Sequence, residues 1–352
     1  MSIRVERQKF LQALELVVPG ISPREVIDQS SCFIFRNGKV ETFNDEIYCV
    51  TDSTLGEELT AAVAAEPLLA LLRKLPDEEL RIFVKEGSLR VKGKGREAAL
   101  NMESKILLDV GAVEEPEGDW NDLPPEFLQG IELVEQCTSK DQASFHLSCV
   151  HLAAKWVEAS DSFQAARFRV KMGIETPCLV RRPSLKHVLS LGMIRFAESP
   201  TWIHFQSPDG MRLSCRRFME KYPDLSDSFK MEGETIQFPK SLPDALSRSE
   251  IFASETSEEV NVEVSLEPGR VIVEGQGSAG WYRERRKMVY DGPSLSFLIA
   301  PKLLSQIVQD YPEAIVSVDK LSIKGGRFSY VTCLGVRGER DKEDNDDAGS
   351  DT

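Results

Sequence analysis

The octapeptide Phe10-Leu11-Gln12-Ala13-Leu14-Glu15-Leu16-Val17 returns 117 residues later as Phe127-Leu128-Gln129-Gly130-Ile131-Glu132-Leu133-Val134, with six of eight positions identical. A weaker third copy, Leu242-Pro243-Asp244-Ala245-Leu246, stands a further 115 residues on. Each copy spaces its apolar side chains as a short amphipathic helix does. A second marker keeps the same period: Pro67, Pro183 and Pro301 head PLLALLRKL, PSLKHVLSL and PKLLSQIVQ, at spacings of 116 and 118. Proline suits the first turn of a helix, where its fixed φ fits and its missing N–H would be unpaired anyway. Strand-like stretches (LTAAVAA, TPCLV, SLSFLIA) precede these helices. Alternating segments that close near Gly87, Gly210 and Gly325 follow them and read as β-hairpins. Between the two helices of each copy lie further strand pairs, with turn chemistry at Asn37-Gly38 and Pro268-Gly269.

Two markers recurring at one period are the signature of a tandem repeat. The chain is therefore expected to be α+β, with one helix–strands–helix–strands unit occurring three times, over residues 1–120, 121–234 and 235–334. Residues 103–123 and 219–237 read as linkers. Residues 335–352 are acidic, lack apolar periodicity and are expected to form a disordered tail.

The rest of the composition narrows the class. Hydrophobic residues at 41% and charged residues at 28% suit a packed soluble chain. No apolar run is long enough for a bilayer, and the N-terminus has no signal-peptide pattern. Seven scattered cysteines without a C-x-x-C pair read as reduced, mostly buried thiols, so a cytoplasmic setting is expected. A net charge of −14 argues against a protein that wraps its whole surface on nucleic acid, but not against one that gathers its cations on one surface. No catalytic set, cofactor or metal is expected. His146 and Cys149, read as strand residues an odd number apart, would point to opposite faces, and Lys92-Gly93-Lys94-Gly95 lacks the ending of a phosphate loop.

In order, spacing and length, residues 1–334 resemble the bacterial DNA polymerase III beta subunit, the beta sliding clamp. The opening SIRVERQKFLQAL is similar to that family's first strand and helix, and Phe218-Met219-Glu220-Lys221-Tyr222-Pro223-Asp224 to its aromatic-Pro-Asp segment between the second and third domains. The resemblance implies a ring of six similar units made by two chains, head to tail, around double-stranded DNA. It implies a processivity factor and not an enzyme, with helices facing the hole and making sequence-blind phosphate contacts. The alternative is a clamp-fold peptide-binding adaptor or regulator of replication that does not itself load on DNA.

The resemblance also implies sites. Arg7, Lys9, Arg73, Lys74, Lys186, Lys240, Arg248 and Lys302 on the helix segments, with Arg24 in a short loop that contains Pro23-Arg24 and is similar to one of the family's, would face DNA. Those segments carry eight Lys/Arg against eight Asp/Glu, neutral within an acidic chain. A cleft for DNA polymerase and clamp-loader peptides would involve His151, Ser160, Phe163, Ala165, Pro223, Ser228, Val331 and Cys333. The sequence departs from the family there: Ser160-Asp161-Ser162-Phe163-Gln164-Ala165 replaces the family's Thr-Asp-Gly-His-Arg-Leu, and the family's C-terminal Met-Pro-Met-Arg-Leu is missing. A homodimer contact would set Leu68, Leu69 and Leu100 against Ile251 and Phe252 of the partner; the same apolar residues also fit an internal core.

Overall fold

The computed structural model describes residues 2–141, 143–253 and 260–336. The element order repeats three times as strand, helix, four strands, helix, three strands. The first run is β1 (Ser2–Glu6), α1 (Arg7–Val17), β2 (Cys32–Arg36), β3 (Lys39–Phe43), β4 (Ile47–Asp52), β5 (Ala61–Ala64), α2 (Ala65–Lys74), β6 (Glu79–Lys85), β7 (Ser88–Gly93) and β8 (Arg96–Glu103). The second is β9 (Glu117–Asp122), α3 (Pro125–Val134), β10 (Cys149–Leu152), β11 (Trp156–Ser160), β12 (Gln164–Arg169), β13 (Cys178–Arg181), α4 (Arg182–Ser190), β14 (Arg195–Glu198), β15 (Trp202–Gln206) and β16 (Arg212–Arg216). The third is β17 (Glu234–Gln237), α5 (Leu242–Glu250), β18 (Val262–Glu267), β19 (Arg270–Gly277), β20 (Gly280–Lys287), β21 (Leu295–Ile299), α6 (Pro301–Asp310), β22 (Glu313–Val316), β23 (Lys320–Gly325) and β24 (Phe328–Cys333).

Each helix buries one stripe at helical spacing, such as Phe10, Leu11, Leu14 and Val17 on α1 and Leu303, Leu304, Ile307 and Val308 on α6. Pro301 sits at the first position of α6 and Pro183 at the second of α4, whereas α2 starts two residues ahead of Pro67. At Asn37-Gly38 both residues take positive φ (51° and 72°), which a tight hairpin matching strand twist requires.

By its internal contacts the chain divides into two compact units, Met1–Leu128 with Leu152–Ala154 and Met172–Glu220, and Gln129–His151 with Lys155–Lys171 and Lys221–Thr352. The first unit holds a twelve-stranded sheet in the order β1-β6-β7-β8-β5-β2-β3-β4-β16-β15-β14-β9. The second holds a sheet running β10-β11-β12-β24-β23-β22-β17 and a five-stranded sheet β20-β19-β18-β21-β25. The last of these, β25 (Gly335–Val336), stands at the head of the segment expected to be a disordered tail and pairs with Leu295 and Ser296; residues 337–352 lie outside the described residues.

The segment 103–123, expected as a linker, is a packed layer. Leu108 and Val113 join Ile34, Phe43, Tyr48, Ala62 and Trp202 in a buried cluster, and β9 pairs along β14. Gln29 pins the start of this layer from a left-handed backbone (φ 62°). Its side-chain amide donates to Glu103 (2.6 Å) and to the Lys105 carbonyl (2.9 Å), and its Oε1 accepts from the Leu107 N–H (2.7 Å). Gln29→Ala strands these groups in a site where the glutamine is 3% exposed, and should cost about 2 kcal/mol. A urea midpoint lowered at unchanged slope is the expected readout; a wild-type midpoint would show that the layer does not depend on Gln29.

Candidate functional site

In the second unit, strand register gathers three of the residues expected in a cleft on one sheet face. Ser160 stands opposite Ala165, and Ala165 opposite Val331, so the three side chains share a face at adjacent positions. All three are buried, between 3% and 7% exposed. The β11–β12 hairpin tip rises beside them. Asp161 Oδ1 accepts from the Phe163 and Gln164 N–H groups (2.9 and 2.8 Å), Ser162 takes φ 80°, and Phe163 is left 74% exposed. The Cys333 N–H donates to the Phe163 carbonyl (2.8 Å), which ties β24 to the tip. Cys333 and Pro223 are exposed, and Ser228 is half-buried.

The same face continues into a buried polar knot. Glu158, opposite Arg167 in the register, is 2% exposed and receives three donors. They are Arg167 Nε (2.6 Å), Trp156 Nε1 (3.1 Å) and the His151 ring (2.8 Å). The Arg167 guanidinium lies over the Trp156 ring (4.7 Å) and the Phe229 ring (5.1 Å), and His151 stacks on Tyr222 at 4.8 Å. Tyr222 and Phe229 thereby dock the 221–229 segment, which carries Pro223 and Ser228, on this face. Burial, with the Glu158 charge nearby, raises the Tyr222 phenol well above its ordinary pKa. His151 was expected in the cleft; its partner Glu158, and the Arg167 that Glu158 also binds, were not, because nothing local in the sequence marks a carboxylate and a guanidinium nine residues apart as neighbours.

The cations expected to face DNA divide into two groups. Arg7 turns its guanidinium to the Asp77 and Leu72 carbonyls, both at 3.0 Å. Lys9 pairs with Glu6 (2.7 Å), Arg73 with Glu15 (2.9 Å), Arg248 with Glu284 (2.9 Å) and Lys302 with Glu250 (3.7 Å). Arg24, Lys74, Lys186 and Lys240 are exposed and have no side-chain partner among the described residues. Of the residues expected at a dimer contact, Leu68, Leu69 and Leu100 are buried in their own unit. Ile251 is 72% exposed, and Phe252 stacks on Tyr282 of β20 at 6.0 Å.

Residues Phe145–Ser148 form a 3-10 turn and not the strand expected there, so strand alternation does not govern His146 and Cys149. Among the described residues no group of three or more His, Cys, Asp or Glu side chains is placed to hold a metal. In the first unit His204 hydrogen-bonds Ser199 (3.0 Å) and Ser214 (2.8 Å) at zero exposure. Burial, with the Arg212 charge, lowers its pKa to about 4. The group is neutral and sealed from any substrate, and bonds across the sheet instead. Among the described residues no helix is long and apolar enough to cross a membrane.

No family model and no curated protein matches the sequence. Solved structures do match along nearly the whole chain. The DNA polymerase III subunit beta from Pseudomonas aeruginosa is 15% identical with a TM-score of 0.71, over 96% of this chain and 100% of that one. The beta chain from Streptococcus pneumoniae is 17% identical with a TM-score of 0.74, over 96% and 100%. The beta subunit from Thermotoga maritima is 14% identical with a TM-score of 0.73, again over 96% and 100%. The chain has the fold of these sliding clamps.

Proposed function

We propose that the chain is a DNA sliding clamp, a processivity factor whose repeats 1–120, 121–234 and 235–334 close, two copies head to tail, into a ring around duplex DNA. The observation that carries this reading is a join that occurs twice. Strand β4 of the first repeat pairs with β16 of the second, and β12 of the second pairs with β24 of the third. In element order β20 is the counterpart of β4 and β12, and β8 is the counterpart of β16 and β24. Among the described residues β20 is an edge strand, and the Arg96–Asn101 stretch of β8 pairs only with β7. A third join, between β20 of one copy and β8 of the next, would close the ring and remove two open edges that otherwise invite aggregation. A closed ring stays on DNA by topology, so a few weak phosphate contacts suffice; Arg24, Lys74, Lys186 and Lys240 suit that role. The buried Ser160–Ala165–Val331 floor, with Phe163, Pro223 and Cys333 beside it, suits a short polymerase or clamp-loader peptide.

The ion pairs that engage Lys9, Arg73, Arg248 and Lys302 favour a second reading, an adaptor with this fold that binds peptides but does not load on DNA. Two measurements separate the readings. Light scattering should give twice the chain mass of 39.4 kDa, and protein loaded on nicked circular DNA should be retained until the circle is cut. A monomer at micromolar concentration sinks the ring. A dimer that a clamp loader cannot place on circles favours the adaptor.

A further inference from the structure

Strand β20 is densely basic within an acidic chain: residues 281–287 read Trp-Tyr-Arg-Glu-Arg-Arg-Lys. Strand alternation divides the run. Tyr282 and Glu284 meet Arg248 of α5, so Trp281, Arg283, Arg285 and Lys287 stand on the face turned away from that helix. Trp281 is 64% exposed, and the Arg283 guanidinium, bound to Glu274 at 2.8 Å, lies over its ring at 5.8 Å. Arg285 and Lys287 are exposed and have no side-chain partner among the described residues. The register sets Glu263 and Glu267 of β18 on this same face, one strand beyond β19.

At the other edge of the same sheet, β25 ends at Val336. The strand order β25-β21-β18-β19-β20 separates it from β20 by four spacings, about 19 Å at ~4.8 Å each. About six extended residues cover that distance. After Val336 the only cations, Arg337, Arg340 and Lys342, fall within those six residues, with Glu339 and Asp341 between them, and every charged residue beyond is an acid: Glu343, Asp344, Asp346, Asp347 and Asp351. A chain crossing the sheet would pass its cations over Glu263 and Glu267 and bring its acidic run to β20.

We propose that the acidic segment Glu343–Asp351 docks in the same chain on the β20 face formed by Trp281, Arg283, Arg285 and Lys287. The contact is electrostatic and weakens as salt screens it. It covers a cationic face beside an open strand edge, and it holds whether or not that edge closes a ring.

Zero-length carbodiimide coupling of the full chain tests it, because the reaction joins a carboxylate to an amine only in direct contact. The expected product is an amide between Lys287 and Glu343, Asp344, Asp346 or Asp347, read by peptide mass spectrometry. In a mixture of light and 15N-labelled protein it should form within single chains. Its yield should fall about tenfold in Arg285→Glu and in about 0.5 M salt. Lys287→Arg, which keeps the charge and removes the amine, should abolish that link alone. Coupling between chains only, or tail carboxylates spread evenly over the exposed lysines, overturns the proposal. So does an uncoupled Lys287 in a chain that binds single-stranded oligonucleotide through Arg285, since a cation-and-aromatic face can also stack bases.

Discussion

Glu158→Ala is expected to destabilise the protein by about 3–5 kcal/mol, among the largest costs of any single substitution here. The carboxylate answers three donors at once, and Arg167 is held between two rings with its charge largely out of water. Removing the acid leaves that guanidinium buried without its counter-charge, which costs far more than the pair itself contributes. Glu158→Gln should fall between, since it keeps acceptor geometry and loses the charge. The double replacement Glu158→Ala with Arg167→Met should recover part of the loss, because no buried charge is then left unanswered. Urea unfolding followed by tryptophan emission measures all three. A loss below about 1 kcal/mol in Glu158→Ala would mean that water replaces the carboxylate. Because Tyr222 and Phe229 hold the 221–229 segment against this knot, the same variant should also weaken the peptide binding proposed for the neighbouring Ser160–Ala165–Val331 floor.

The helices were legible in the sequence because their signals are local. Apolar spacing in Phe10–Val17 and its copies marks α1, α3 and α5, and the fixed φ of Pro67, Pro183 and Pro301 marks α2, α4 and α6 to within two residues. Hairpins were legible for the same reason: a residue pair such as Asn37-Gly38 carries its own turn. What was not legible depends on partners distant along the chain. An acidic stretch containing Pro116 reads as a linker until Trp202, ninety residues away, supplies the surface that Ala112 and Val113 cover. Glu158 reads as a polar strand position until Arg167, His151 and Trp156 converge on it. Charge counted over the helix segments missed β20, because its basic run lies on a strand outside those segments. The cleft residues fall between these cases. Register alone brings Ser160, Ala165 and Val331 to one face, but burial of the first two could not be read from a small polar residue and an alanine.

If two copies close through β20 as proposed, Arg285→Pro should abolish the dimer and leave the fold intact, and the reason lies in the β19–β20 hairpin. Its strands are joined by two residues, Ser278 and Ala279, with Gly277 opposite Gly280. In a two-residue hairpin that flanking pair exchanges both hydrogen bonds, and bonded pairs then alternate along the ladder. Tyr282, Glu284 and Arg286 therefore bond inward to β19, while Trp281, Arg283, Arg285 and Lys287 turn their N–H groups to the open edge. Proline at 285 removes one outward donor and sets its ring in the path of an incoming strand, a position an edge strand tolerates. Proline at 284 instead breaks an inward bond and should destabilise the hairpin itself, by about 1–3 kcal/mol. If β20 joins β8 of a second copy, Arg285→Pro should raise the dimer dissociation constant at least ~100-fold and end retention on circular DNA, with an unchanged urea midpoint for the isolated chain. An Arg285→Pro protein that still weighs as a dimer at micromolar concentration would place its closure on some other edge, and the twice-repeated join would then have no third copy between β20 and β8.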